Sequence, residues 1–150
     1  MVKDNKIIQT RGNRKRAIAR ATLKPGNGKI KINGQMLNNF STDVLCLRIS
    51  EPLVLAGPEA KKIDISINVI GGGVNGQADA IRLSIARALI QHDSKLKSVF
   101  ESYDRLLSVA DVRRKETCKP NDSKARAKRQ KSYRWGLNKN DYTNKMLQLW

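Results

Sequence analysis

The feature that most constrains the fold is a stretch of strict alternation at residues 63–69. Apolar residues occupy every second position there, with polar residues between them: Ile63, Ile65, Ile67 and Val69. Because successive side chains of a strand point to opposite faces of a sheet, this pattern predicts a strand with one buried and one polar face. The rest of the chain must therefore supply an apolar layer on one side of a sheet.

Helices that could form this layer are predicted on both sides of the strand. Residues 77–91 have a broad apolar stripe suited to lying on a sheet. A second, shorter helix is predicted over residues 96–103. An earlier helix is predicted to begin at Ser41, a good N-cap, and to end or kink at Pro52.

Two further strands are predicted in the amino-terminal part of the chain. One covers residues 17–23, which are rich in alanine. The other covers residues 29–32, where basic and apolar side chains alternate. The segment 25–28, Pro-Gly-Asn-Gly, separates them and is a strong turn signal. We expect these two strands to form a hairpin with a cationic outer face.

The net charge indicates the class of partner. Thirty Lys and Arg against thirteen Asp and Glu give a formal charge of +17, which favours a polyanionic partner, usually nucleic acid. A membrane surface would require an amphipathic or lipidated anchor, and none is evident. Aromatic residues make up only 5%, which favours contact with phosphate, sugar and RNA shape over base stacking.

The charge is concentrated near the two ends of the chain. Residues 11–20 contain five basic residues and no acid, and residues 124–134 contain six and no acid. Residues 35–75 are nearly neutral, with three basic and four acidic residues. We therefore expect a globular α/β domain at 1–110, followed at 111–134 by a basic tail that cannot build a core.

One glycine pattern suggests an enzyme. Gly71, Gly73 and Gly76 match a dinucleotide-binding fingerprint, with Asp93 near the expected ribose-binding position. That fold needs a second parallel strand after the helix, whereas another helix is predicted here, so we set this interpretation aside. The glycines then permit a turn with positive φ, or bring backbone N–H groups to a phosphate, and both explanations remain open.

Signals for other kinds of site are weak. One His and no Cys-x-x-Cys pair leave no credible zinc site, and we expect no cofactor or small-molecule substrate. Cys46 and Cys118 are interpreted as reduced thiols, the first in the core. Residues 1–4 have no hydrophobic run, so we expect no secretory signal and a cytoplasmic protein.

Several motifs, in order and spacing, resemble one family over residues 7–134. They are QTRGNRKRAIAR at 9–20, GGGVNGQADAIRLSIARAL at 71–89, YDRLL at 103–107 and KARAKRQKSYR at 124–134. Together they are similar to the universal small-subunit ribosomal protein S nine family. The YDR and QKSYR motifs are similar to its archaeal and eukaryotic branch.

This resemblance implies an α+β fold with a four-stranded sheet and helices on one face, like the second domain of ribosomal protein S five. It also implies a non-enzymatic protein bound to ribosomal RNA in the small-subunit head, beside neighbouring ribosomal proteins. The tail would run towards peptidyl-site transfer RNA. The alternative is a general nucleic-acid-binding protein outside the ribosome.

The candidate binding residues fall into two groups. Those expected to contact ribosomal RNA are Arg11, Arg14, Lys15, Arg16, Gly71, Gly72, Gly73, Arg113, Arg114, Lys115, Lys124 and Arg126. Those that the resemblance implies near transfer RNA are Lys128, Arg129, Lys131, Tyr133 and Arg134.

Other charged residues are expected to have structural roles. Asp104 and Asp111, beside Arg105 and Arg113, are expected to orient the tail by ion pairs. Arg82 and Arg87 lie five positions apart on a helix, so they point about 140° apart and are not expected to serve one phosphate.

Members of this branch stop at the position of Arg134, whereas this chain continues over residues 135–150. That extension carries little charge and ends in apolar residues. We expect it to dock on nearby protein or RNA, the alternative being an unstructured appendage.

Overall fold

The structure, a computed structural model, describes residues 7–118, 120 and 124–127. The chain divides into two units, Met1–Lys115 and Glu116–Trp150. All the strands and helices described lie in the first unit. In chain order they are β1 (Ile8–Arg14), β2 (Ala17–Pro25), β3 (Ile30–Ile32), β4 (Gln35–Met36), α1 (Asp43–Ala56), β5 (Ile63–Ile70), α2 (Val74–His92) and α3 (Leu96–Tyr103).

The strands form one mixed sheet in the order β1-β2-β5-β3-β4. Only the β3–β5 pair is parallel. The predicted α+β class is confirmed, but the predicted number of four strands is wrong. The fifth strand is β4, which has two residues and follows a tight turn at Asn33 and Gly34, both with positive φ. A two-residue strand is too short to show alternation, so no sequence pattern reveals it.

The predicted hairpin between β2 and β3 is also wrong, because β5 lies between these two strands. The connection after β2 crosses the amino-terminal end of β5. There the N–H of Gly26 donates to the Lys62 carbonyl at 2.9 Å, and the Asp64 carboxylate accepts the N–H groups of Lys29 and Asn27, each at 2.8 Å. These two backbone donors also lower the pKa of Asp64.

The three predicted helices are all present, but their bounds agree with the prediction to different degrees. The predicted range 96–103 is confirmed by α3, and α2 begins three residues earlier than predicted. The first helix, α1, does not end at Pro52 but continues to Ala56, and its N-cap is Thr42 rather than Ser41. Cys46 on this helix is only half-buried, so its predicted place in the core is wrong.

The core lies between one face of the sheet and the helices. The alternation of β5 is confirmed, since its four alternate apolar side chains are all buried. Alanines at positions 17, 19 and 21 of β2 are buried against α2, which buries alanines of its own. Small side chains on both surfaces allow the helix to approach the sheet closely, and this close packing excludes water from the apolar layer.

The closest approach is between β1 and α2. A Cβ atom on Gly12 would lie 2.1 Å from the Ala80 carbonyl oxygen and 2.7 Å from the Ser84 backbone nitrogen. Beside it, the hydroxyl of Thr10 donates to the Ser84 carbonyl at 2.8 Å. The edge strand is thus held directly against the helix backbone.

Two properties of the described residues complete the fold. None of the helices in this part of the chain combines the length and the apolar character that a membrane span requires. Across the same residues, no group of three or more His, Cys, Asp or Glu side chains could hold a metal ion.

Replacing Gly12 with Ala should lower the free energy of unfolding by about 1–3 kcal/mol, because β1 must move away from α2. Gly76 provides the matched control, since an added Cβ meets its nearest neighbours at 3.7 Å or more within a helix. Gly76→Ala should therefore raise stability by about 0.5–1 kcal/mol. Urea denaturation measures both changes. Equal stability of the Gly12→Ala variant and the unmodified chain would contradict the close packing.

Candidate nucleic-acid interface

The turn between β1 and β2 presents two cations. Arg14 pairs with Ala17 in the register, so Lys15 and Arg16 form a tight two-residue turn. Lys15 has a φ of 54°, in the left-handed region that such turns use. Both side chains are exposed, and neither forms an ion pair with another described residue.

The glycine loop after β5 packs against this turn. Gly71 and Gly72 have φ values of 73° and 71°, which L side chains rarely adopt. A Cβ on Gly71 would lie 2.8 Å from the Arg16 carbonyl oxygen, and one on Gly72 would lie 2.9 Å from Ala17. The conformational explanation for these two glycines is therefore sufficient. Gly73 differs, since its φ is −103° and an added Cβ meets nothing within 4 Å.

A cavity lies between the turn and the first turn of α2. It is lined by Arg14, Lys15, Gly72, Gly73, Val74, Asn75 and Gly76, none of them acidic. Gly73 is the N-cap of α2 and offers no side chain to the first N–H groups of that helix. A helix N-terminus carries partial positive charge, so this cavity is electrostatically suited to an anion.

Arg14 differs from Lys15 and Arg16 because it forms ion pairs within the protein. Its Nε lies 3.3 Å from an Asp79 oxygen, and its Nη1 binds the Asp111 carboxylate. Asp79 also forms an ion pair with Arg48 of α1, whose Nε lies 2.9 Å from the carboxylate. Two carboxylates thus balance Arg14, and its contacts join β1 to α2 and to the segment after the last helix.

Asp111 fixes the start of the segment that was predicted to be a tail. Its carboxylate accepts the Arg113 N–H at 2.8 Å and the Arg113 guanidinium at 2.7 Å. These donors, with Arg14, hold its pKa well below the ordinary carboxyl value. The carboxylate therefore stays charged as the pH falls through that ordinary value, and its contribution to stability is lost only at lower pH. The predicted Asp111–Arg113 pair is present.

Buried Arg82 forms a second ionic centre, which contacts α1 three residues further along the chain than Arg48 does. It pairs with Asp104 at 2.9 Å and with Glu51 of α1 at 2.5 Å. Asp104 forms an ion pair, as expected, but its partner is Arg82 of α2 rather than the neighbouring Arg105. Arg87, on another face of α2, donates to the carbonyls of Arg11 and Ser108. The two arginines serve different elements, as their angular separation predicts.

Sequence patterns did not reveal Asp79 or Arg48 as members of this network. The Arg14–Asp79 contact joins residues 65 positions apart, and no local signal reports such a contact.

The remaining candidates divide between exposed and undescribed residues. Arg114 and Lys115 are exposed at the end of the first unit. In the second unit, the Arg126 guanidinium donates to both oxygens of Glu116 and lowers the pKa of that carboxyl, while Lys124 is exposed. Lys128, Arg129, Lys131, Tyr133 and Arg134 lie outside the described residues, as does the extension 135–150.

A model of the family described as ribosomal protein S9/S16 matches residues 12–134. This chain belongs to that family. Similar proteins named small ribosomal subunit protein uS9 occur in archaea. That of Thermoplasma volcanium is 50% identical over 129 residues, covering 85% of this chain and 98% of the relative. That of Methanococcus maripaludis is 46% identical, and the alignment covers 86% of this chain and 99% of the relative. That of Pyrobaculum aerophilum is 44% identical, and the alignment covers 86% of this chain and 92% of the relative.

Membership of the S9/S16 family confirms the resemblance and excludes the dinucleotide enzyme, because proteins of this family are structural and not enzymatic. The fold agrees with this conclusion. In the described part of the chain, α2 is followed by α3 and not by the second parallel strand that a dinucleotide fold requires.

Replacing Asp111 with Asn should loosen residues 112–115, because Arg14 and Arg113 lose the carboxylate that joins them. Hydrogen exchange of these backbone amides should become several-fold faster, while exchange in β5 stays unchanged. Glu59→Gln is the matched control, since it breaks the exposed Glu59–Lys62 pair with the same change in charge. Equal exchange at 112–115 in both variants would contradict an anchoring role for Asp111.

Proposed function

We propose that this chain is a structural component of the small subunit of cytoplasmic ribosomes. In this role it binds ribosomal RNA in the subunit head, beside neighbouring ribosomal proteins, and its basic tail approaches peptidyl-site transfer RNA. Family membership and the names of the archaeal relatives support the subunit assignment. The RNA contacts are inferred from the charges described above.

The observation that carries the RNA-binding proposal is the division of cations into two classes. Arg14 and Arg82 are balanced by carboxylates of the protein itself. Other cations of the first unit are exposed and form no ion pair with any described residue: Lys15, Arg16, Arg114 and Lys115. Exposed cations without protein counter-ions gain free energy by neutralising RNA phosphates, because condensed counterions are released.

The paired arginines have a different role in this proposal. Arg14 and Arg113 determine where the basic segment begins, since both bind Asp111. Of the glycine loop, Gly71 and Gly72 shape the backbone, and Gly73 brings the start of α2 to the cavity beside Lys15. A phosphate in that cavity would accept backbone N–H groups and face the Lys15 ammonium.

The double variant Lys15→Asn, Arg16→Gln should bind small-subunit ribosomal RNA more weakly than the unmodified chain. Asn is chosen because it tolerates the positive φ of Lys15. Filter binding at several salt concentrations should show a salt slope lower by about one for each phosphate that the variant no longer neutralises. Lys61→Gln, Lys97→Gln is the control of equal charge.

If the two double variants have equal salt slopes, Lys15 and Arg16 do not contact RNA phosphates. A competing duplex DNA tests the whole proposal in the same assay. If the unmodified chain binds that DNA as tightly as it binds ribosomal RNA, the alternative of a general nucleic-acid-binding protein is favoured.

The transfer-RNA contact rests on the terminal basic segment. The family match extends to Arg134, and residues 124–134 contain six basic residues and no acidic one. Because the sequence of this segment is mostly basic and polar, replacing its cations should leave the folded unit intact.

Neutralising Lys128, Arg129 and Lys131 with Gln should weaken transfer-RNA binding at the peptidyl site of purified small subunits. The thermal unfolding midpoint of the free protein should not change. Neutralising Lys61, Lys95 and Lys97, which are exposed on the folded unit, provides a charge-matched control. Unchanged transfer-RNA binding in subunits that carry the tail variant would contradict this part of the proposal.

A further inference from the structure

One face of the sheet has no helix packed on it in the described part of the chain. We call it the open face and define it by six side chains of β1, β2 and β5. All are exposed or half-exposed: Gln9, Arg11, Arg20, Thr22, Ser66 and Asn68. Several of them line a shallow groove across the three strands. The groove lies on the opposite side of the sheet from the hydrophobic core.

The centre of the open face holds an unfavourable pair. Arg11 lies directly opposite Arg20 in the β1–β2 register, and Arg20 lies opposite Asn68 in the β2–β5 register. Like charges at directly opposed positions destabilise a sheet. The Nε of Arg11 donates to the Asn13 side chain at 2.9 Å, which orients that guanidinium but adds no negative charge.

The protein offers this pair no counter-ion among the residues that the structure describes. Neither Arg11 nor Arg20 forms an ion pair with them. Asp64 is the sole acidic residue within the five strands, and its carboxylate accepts the N–H groups of Asn27 and Lys29. Two exposed arginines thus occupy directly opposed strand positions without a described carboxylate to balance them.

We propose that the open face is a second RNA-binding site, in which Arg11 and Arg20 bind phosphates of the RNA backbone. The inference rests on the proposed function, because it needs an RNA-bound protein. An intervening phosphate would convert the repulsion between the two arginines into two attractive contacts. The amide and hydroxyl groups around them can bond to phosphate and ribose 2′-hydroxyl oxygens.

The composition of the open face favours RNA over a protein partner. The core of a protein–protein interface is apolar and depleted of charge, whereas the centre of this face is charged and polar. Its exposed apolar side chain, Ile70, lies at one end, opposite Ile18. A large polyanion that contacts backbone and sugar fits such a surface, and no base-stacking aromatic residue is present within the five strands.

The variant Arg20→Glu separates binding from folding, because the two effects have opposite signs. A glutamate opposite Arg11 forms a favourable cross-strand pair, so the thermal unfolding midpoint should stay the same or rise. Affinity of the full-length protein for small-subunit ribosomal RNA should fall by about tenfold at physiological salt. Lys97→Glu, an exposed site on α3 with the same charge change, should lose much less affinity.

Equal affinity of the two variants, with the unmodified chain still binding, would overturn the open-face site and leave the proposed function intact. Failure of the unmodified chain to bind would overturn both. A photoreactive residue at Ser66, in full-length protein assembled into subunits, gives an independent test. Attachment to ribosomal RNA supports the open-face site, and attachment only to another protein overturns it.

Discussion

The close packing of α2 against β1 and β2 is the interaction on which the rest of the structure depends. Gly12 and the alanines of β2 allow backbone and helix to meet without an intervening side chain. Once α2 is held there, its polar residues reach other elements. Asp79 binds Arg14 and Arg48, Arg82 binds Glu51 and Asp104, and Arg87 binds two backbone carbonyls. One helix therefore fixes the core, α1 and the segment that leads to Asp111.

This arrangement divides the cations of a strongly basic chain into those paired within the protein and those left without a described counter-ion. Arginines that α2 or Asp111 can reach are paired, and they position other parts of the protein. Lys15, Arg16 and Arg20 lie on turns and strand faces where no described carboxylate reaches them. Their mutual repulsion costs free energy in the isolated protein, and a bound polyanion would remove that cost. In the proposed function, folding and RNA binding would therefore be linked through the same charge distribution.

The parts of the fold that could be predicted are those with a local signal. The alternation in β5 and the short helix α3 needed only neighbouring residues, and the family followed from motifs in order. Strands β1 and β4 were not predicted from sequence patterns, and β4 has no period because it contains only two residues. The order of β2, β5 and β3 brings Asp64 and Lys62 into contact with a turn more than 30 positions away in the sequence, and no local pattern reports such contacts. The role of Arg14 was hidden for the same reason, since both of its carboxylates are remote in sequence.

The central claim is that this chain binds small-subunit ribosomal RNA, and ultraviolet crosslinking in intact cells tests it most directly. The attached RNA would be sequenced, and the crosslinked peptides would be mapped by mass spectrometry. We predict strong enrichment of small-subunit ribosomal RNA, with crosslinks from the turn at Lys15 and Arg16 and from the basic segment after Asp111. Crosslinks to scattered cellular RNAs without ribosomal enrichment would contradict the claim.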